Sequence, residues 1–129
     1  MIVIDTHIWI WWVNDSPRLT DRHKQLIQDY QSQGLGISII SCWEVAKLVE
    51  KNRLVLSISV DEWLKQALAY PGIQLLNLTV PILVQSTQLA GFHNDPADQM
   101  IVATAKVYDC LLLTADTKIL NYANVNTFK

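Results

Sequence analysis

Apolar residues along this chain fall into short continuous runs and longer periodic stretches, and the two patterns alternate. MIVI at 1–4 is continuous and β-branched, as a strand buried on both faces would be, and residues 6–12 can follow as a short helix. DSPRLT at 15–20 supplies turn and cap residues. The polar segment that follows, to residue 33, carries Leu26, Ile27 and Tyr30 at helical spacing until QGLG breaks it. Residues 37–40 read as a second buried strand, and SCWEVAKLVEKN, with Trp43, Val45, Ala46, Leu48 and Val49, as a helix with one apolar face. Residues 59–70 form a further amphipathic helix, after which Pro71-Gly72 turns the chain into IQLLNL, a strand. Pro81 starts a helix running to about residue 90. Asp95-Pro96 opens another across 97–109, where Ala103 and Ala105 suit close packing on a sheet, and CLLLT at 110–114 is again strand-like.

Strands alternating with helices predict an α/β fold with a mostly parallel central sheet flanked by helices on both faces. No linker or repeat divides residues 1–129, so a single domain is expected. A chain of 129 residues, 50% hydrophobic and 17% charged, suits one core burying about two-thirds of the unfolded surface. The formal charge of -2 shows no global basic excess, so nucleic-acid binding would have to come from local patches. Cys42 and Cys110 stand far apart without metal-ligand spacing, which suggests neither a disulfide framework nor a zinc site. With no basic leader and no apolar run near the ~18 residues that span a bilayer, a soluble cytoplasmic protein without membrane contact is expected.

Ligands of open α/β sheets bind beyond the carboxyl ends of the strands, which draws attention to the acids there. Asp5 ends the first strand, Asp116 follows the strand at 110–114, Glu44 falls in the first turn after the second strand, and Asp98 lies in the first turn of its own helix. Each also has a local explanation. Ser41-Cys42-Trp43-Glu44 has the letters of a capping box, Asp95 can cap a helix with Pro96 at its first position and Asp98 favouring its dipole, and Asp116 can cap a helix at 117–122. Asp61 and Glu62 repeat the cap pattern away from any strand end, and there capping is preferred. Convergence separates the alternatives, on the premise that ordinary caps have no reason to gather at one sheet edge. Two like charges about 4 to 5 Å apart cost on the order of 3 to 4 kcal/mol at an effective dielectric of 20. Four charges make six such pairs, which rivals a domain's whole stability of about 5 to 15 kcal/mol. Such a cluster must take up protons or cations, and carboxylate oxygens suit Mg²⁺ or Mn²⁺.

These stretches resemble the PIN-domain nucleases, most closely the VapC-type toxins of bacterial toxin–antitoxin pairs. VIDTHIWI is similar to the family's opening strand, SCWEVAKLVEKNRL to its Glu-bearing helix, HNDPADQMIVATA to its DPxDR-type segment and LLTADTKIL to its final Asp motif. The resemblance implies that Asp5, Glu44, Asp98 and Asp116 hold Mg²⁺ or Mn²⁺, with Thr6, Thr114 and Asp95 in support. It also implies metal-dependent hydrolysis of RNA, a cognate antitoxin that blocks the site, and a homodimer. Gln99 stands where many relatives have Arg; it keeps hydrogen-bonding capacity and loses the charge. A catalytically weak module of the same fold that binds RNA or protein is the alternative. A phosphoacceptor receiver domain would need an acidic pair after the first strand, where this chain has a lone Asp5.

Lys47 and Lys51 lie four apart with Arg53 just beyond, and can contact phosphates or simply form a solvated helix face. Trp9, Trp11, Trp12, Trp43 and Trp63 can stack on bases, but core or interface positions are preferred for them. His7 and His93 neighbour the acids, but isolated histidines are more often structural and that role is preferred for both; of the two, His93 before Asp95 is the better candidate for the edge of the site.

Overall fold

The computed structural model describes residues 1–128. Five strands, β1 (Ile2–Ile4), β2 (Leu35–Ser38), β3 (Ile73–Leu76), β4 (Leu111–Leu113) and β5 (Thr127–Phe128), form one sheet in the order β3-β2-β1-β4-β5. Every pairing is parallel, so the sheet is wholly rather than mostly parallel. The intervening helices are α1 (Thr6–Val13), α2 (Asp21–Tyr30), α3 (Ile39–Glu50), α4 (Val60–Leu68), α5 (Val80–Ser86), α6 (Pro96–Val107) and α7 (Thr117–Leu120).

Strand alternation divides the core between the two sheet faces. Ile2 and Ile4 of β1 pack with Ile8, Trp9, Val45 and Trp63 from α1, α3 and α4, while Val3 between them packs with Ile101, Val102 and Ile119 from α6 and α7. All three residues of β1 are fully buried, which is why that run carries no polar alternation.

The second strand lies two residues earlier than the pattern predicts, at Leu35–Ser38 instead of 37–40. Gly36 reads as a breaker but belongs inside the strand, where an added Cβ would stand 2.8 Å from Leu76 Cδ1 and 3.2 Å from the Ile2 carbonyl oxygen. The break is at Gly34, with φ +120°. Ile39 and Ile40 therefore enter α3, capped by Ser38, whose Oγ accepts from the Ile40 N–H. The helix after Pro81 stops at Ser86 rather than 90. β5 has no signature in the sequence; two residues, Thr127 and Phe128, pair with Leu112 and Leu113.

Candidate active site

From β1 the chain builds β2 and β3 on one side, then returns to place β4 on the other, so a crevice opens beyond the carboxyl ends of β1 and β4. Asp5, the first residue past β1, caps α1 and is buried: its Oδ1 accepts from the Thr6 N–H at 2.8 Å and its Oδ2 from the Thr114 hydroxyl at 2.7 Å. Thr114, past β4 and fully buried, also accepts from the Asp116 N–H at 3.0 Å, so one hydroxyl ties the two strand ends together. Asp116 caps α7, accepting from the Lys118 N–H at 2.8 Å. Thr114→Val should strip Asp5 of a donor and the Asp116 N–H of its acceptor at once. The expected cost is about 1–3 kcal/mol of stability, read by chemical denaturation.

Glu44 sits in the second turn of α3 and not the first, because the helix opens at Ser38. The capping box read at Ser41 and Glu44 is therefore not formed. Ser41 is buried within the helix, and Glu44 Oε1 lies 2.5 Å from Thr6 Oγ1, which is itself 2.8 Å from Ser41 Oγ. With one proton to give, Thr6 donates to the carboxylate and Ser41 completes the chain. Asp95 caps α6 with Pro96 at its start and accepts from the Asp98 N–H at 3.2 Å. The Asp98 carboxylate faces His93, whose Nε2 lies 3.2 Å from Oδ2, within ion-pairing distance but without hydrogen-bond alignment.

The charges in this crevice act on one another. Burial holds Asp5 well above the ordinary carboxylate range, against the lowering effect of its bonds from Thr114 and Thr6. Burial also pushes Glu44 up to about 7; the Thr6 bond opposes this, while the charges of Asp5 and Asp95 add to it. Asp98 is pushed up to about 8, first by burial and then by Asp5, Asp95, Asp116 and Glu44 in turn. The four acids singled out in the sequence are thus neighbours in space, and Asp95 joins them. The N-termini of α1, α6 and α7 open toward the same edge and offset part of the repulsion.

A cluster of carboxylate oxygens has the hard, anionic donor chemistry of a Mg²⁺ or Mn²⁺ site. As the side chains stand, no three acidic, His or Cys groups among the described residues are arranged to hold one metal ion. Glu44 is turned to Thr6 and Asp98 toward His93. Each of these contacts uses one carboxylate oxygen, Glu44 Oε1 and Asp98 Oδ2, and leaves the other available as a donor to a cation.

Two roles escape the sequence. Gln99 Nε2 donates to the His93 carbonyl at 2.9 Å, so the residue in the family's Arg position holds the loop that brings His93 against Asp98. Ser41 backs Thr6. Neither has a signal beyond its nearness to a motif. His93 does stand at the site's edge, in a hollow of about 420 Å³ shared with Asp98 and Asp116, whereas His7 is on the far rim, in a trough of about 500 Å³ beside Glu44. Trp9 and Trp63 are core residues, as preferred; Trp43 departs from that preference at 53% exposed.

Taken with the fold, this geometry matches a known class: the family model described as PIN domain covers residues 2–125, and the chain belongs to the PIN-domain family. It is 30% identical over 119 residues to Ribonuclease VapC22 of Mycobacterium tuberculosis, spanning 92% of this chain and 88% of that one. Among solved structures it resembles DNA-bound VapBC from Salmonella typhimurium, with TM-score 0.73, 17% identity and coverage of 99% and 98%. It also resembles a toxin–antitoxin complex from Klebsiella pneumoniae, with TM-score 0.68, 20% identity and coverage of 100% and 97%. At these identities the two structures establish the fold.

Proposed function

We propose that this chain is a metal-dependent endoribonuclease and the toxin of a toxin–antitoxin pair. The observation that carries the proposal is the convergence of Asp5, Glu44, Asp98 and Asp116 beyond β1 and β4, where burial, and after it the charges of the other acids, push Asp98 up to about 8. Similarity to Ribonuclease VapC22 supports RNA as the substrate. Asp5, Glu44, Asp98 and Asp116 would hold one or two Mg²⁺ or Mn²⁺ ions. When bound, such ions polarise a phosphodiester and make water a stronger nucleophile at neutral pH.

The chain's own groups supply position. Thr114 fixes Asp5 relative to Asp116, Thr6 restrains Glu44, and Asp95 anchors the helix that carries Asp98. The N-termini of α1, α6 and α7 favour a phosphate at the same edge. Two divalent ions add four positive charges and would turn the formal charge from -2 to +2, which favours a polyanionic substrate.

An antitoxin that covers this crevice belongs to the same proposal, supported by the toxin–antitoxin complex of like fold, and a cytoplasmic location goes with it. No helix among the described residues is long and apolar enough to cross a membrane. A homodimer is part of it as well: Val80, Leu83 and Val84 of α5 are exposed at helical spacing, an apolar stripe suited to a second copy. One observation favours a second reading, a binding module with weak catalysis: Gln99, in the family's Arg position, is committed to the His93 carbonyl.

Incubating total cellular RNA with purified protein in Mg²⁺, Mn²⁺ or EDTA decides between them. The nuclease reading expects discrete products that require metal. Intact RNA in every condition, with metal bound, would favour the binding module.

A further inference from the structure

Of the five tryptophans, Trp43 alone is more than half exposed, one residue before Glu44 and on the same helix as Lys47 and Lys51. It lines the trough of about 500 Å³ together with Lys47, Lys51, Arg53 and His7. A second trough, of about 360 Å³, is lined by Trp11 and Arg18 and shares His7, Leu48 and Arg53 with the first, so the two run together. Each end pairs an indole with a cation: Lys47 Nζ lies 5.8 Å from the Trp43 ring centroid, and Arg18 Cζ lies 5.9 Å from that of Trp11. Of the lining residues, Glu44 and Asp95 are the acids, both at the carboxylate end; Lys47 is also paired with Glu50 at 3.0 Å, which leaves Lys51, Arg53 and Arg18 as the cations for phosphate.

Ring faces beside cations are the combination that single strands use, bases stacking while phosphates are neutralised. A duplex hides its base faces and is read by shape instead. An acidic segment without aromatic or apolar side chains would use the cations and leave the rings idle. We propose that this trough binds a single-stranded RNA segment leading away from the carboxylates, with a base stacked on Trp43, phosphates on Lys51 and Arg53, and the far end at Trp11 and Arg18. The direction of the strand rests on the nuclease reading; the trough does not.

The test is fluorescence anisotropy of a labelled single-stranded RNA of about 10 nucleotides, in EDTA and low salt, where metal-dependent cleavage is silent. Trp43→Ala is expected to weaken binding about fivefold or more, and Trp43→Phe to restore most of it. Arg53→Ala should reduce the slope of log affinity against log salt by about one. A duplex of the same length should bind at least about fivefold more weakly. Because Trp43 is exposed, an unchanged melting curve will confirm that its variants fold.

No RNA binding by the parent, equal binding by Trp43→Ala, or equal binding of the duplex would overturn the proposal. So would a Trp43→Ala protein that binds and cuts RNA normally but escapes an inhibiting protein, which would give the trough to that partner. A parent that binds single strands through Trp43 yet cuts nothing in any metal would leave the trough standing and remove the nuclease reading.

Discussion

Asp98→Asn is expected to lower metal-dependent RNA cleavage by about 10²- to 10⁴-fold, the range for losing a positioned charged group at a reacting centre. The same substitution is expected to raise the melting temperature of the metal-free protein at pH 8.5. Asp98 is half-buried among Asp5, Asp95, Asp116 and Glu44, and its N–H is already used by the Asp95 cap, so the variant loses repulsion and keeps the helix start. With ~1 to 2 kcal/mol relieved after solvent screening, the gain is about 5 °C. A comparable fall in melting temperature would mean that Asp98 mainly serves the α6 dipole. Cleavage assays and thermal melts on one preparation read both effects.

The second large effect is on stability against pH. Glu44 and Asp98 are pushed up to about 7 and about 8 in the folded chain, far above the ordinary carboxylate values of about 4 that the unfolded chain returns to. Between about pH 4 and 8 the folded state therefore holds protons that the unfolded state has released, and stability falls as pH rises through that window. From pH 5 to 8.5 the metal-free protein should lose on the order of 2 kcal/mol after screening, about 6–10 °C in melting temperature. Mg²⁺ or Mn²⁺ should restore it in proportion to the logarithm of ion concentration once above the dissociation constant. A melting temperature that is flat, or that rises with pH, in EDTA would contradict this.

The acids at the site were legible because a strand end or a proline marks three of them: Asp5 follows MIVI, Asp116 follows CLLLT, and Asp98 follows Asp95-Pro96. Fold class followed from the alternation of buried runs with periodic stretches. The premise that caps have no reason to gather does not hold for this fold. In a wholly parallel sheet each strand leads into a helix at the same edge, and Asp5, Ser38 and Asp116 are all N-caps there. What marks the site is a set of bonds that capping does not require: Thr114 reaching from beyond β4 to Asp5, and Thr6 reaching to Glu44 on α3. Such bonds span 109 and 38 residues of sequence, and no local pattern encodes them. The letters of a capping box at Ser41 and Glu44 were misleading because Gly36 hid the true start of β2, and with it the helix start at Ser38. β5 was too short to carry any periodicity.

Asp5, Glu44 and Asp98 hold their protons above the ordinary carboxylate range, and on the proposed function they give them up to divalent cations. Calorimetric titration of Mn²⁺ into the protein at pH 7, repeated in two buffers of different ionisation enthalpy, measures both binding and proton release. Saturable binding is expected, with about one or more protons released per chain, and both are lost in Asp5→Asn. No binding, or binding with no proton released, would contradict it.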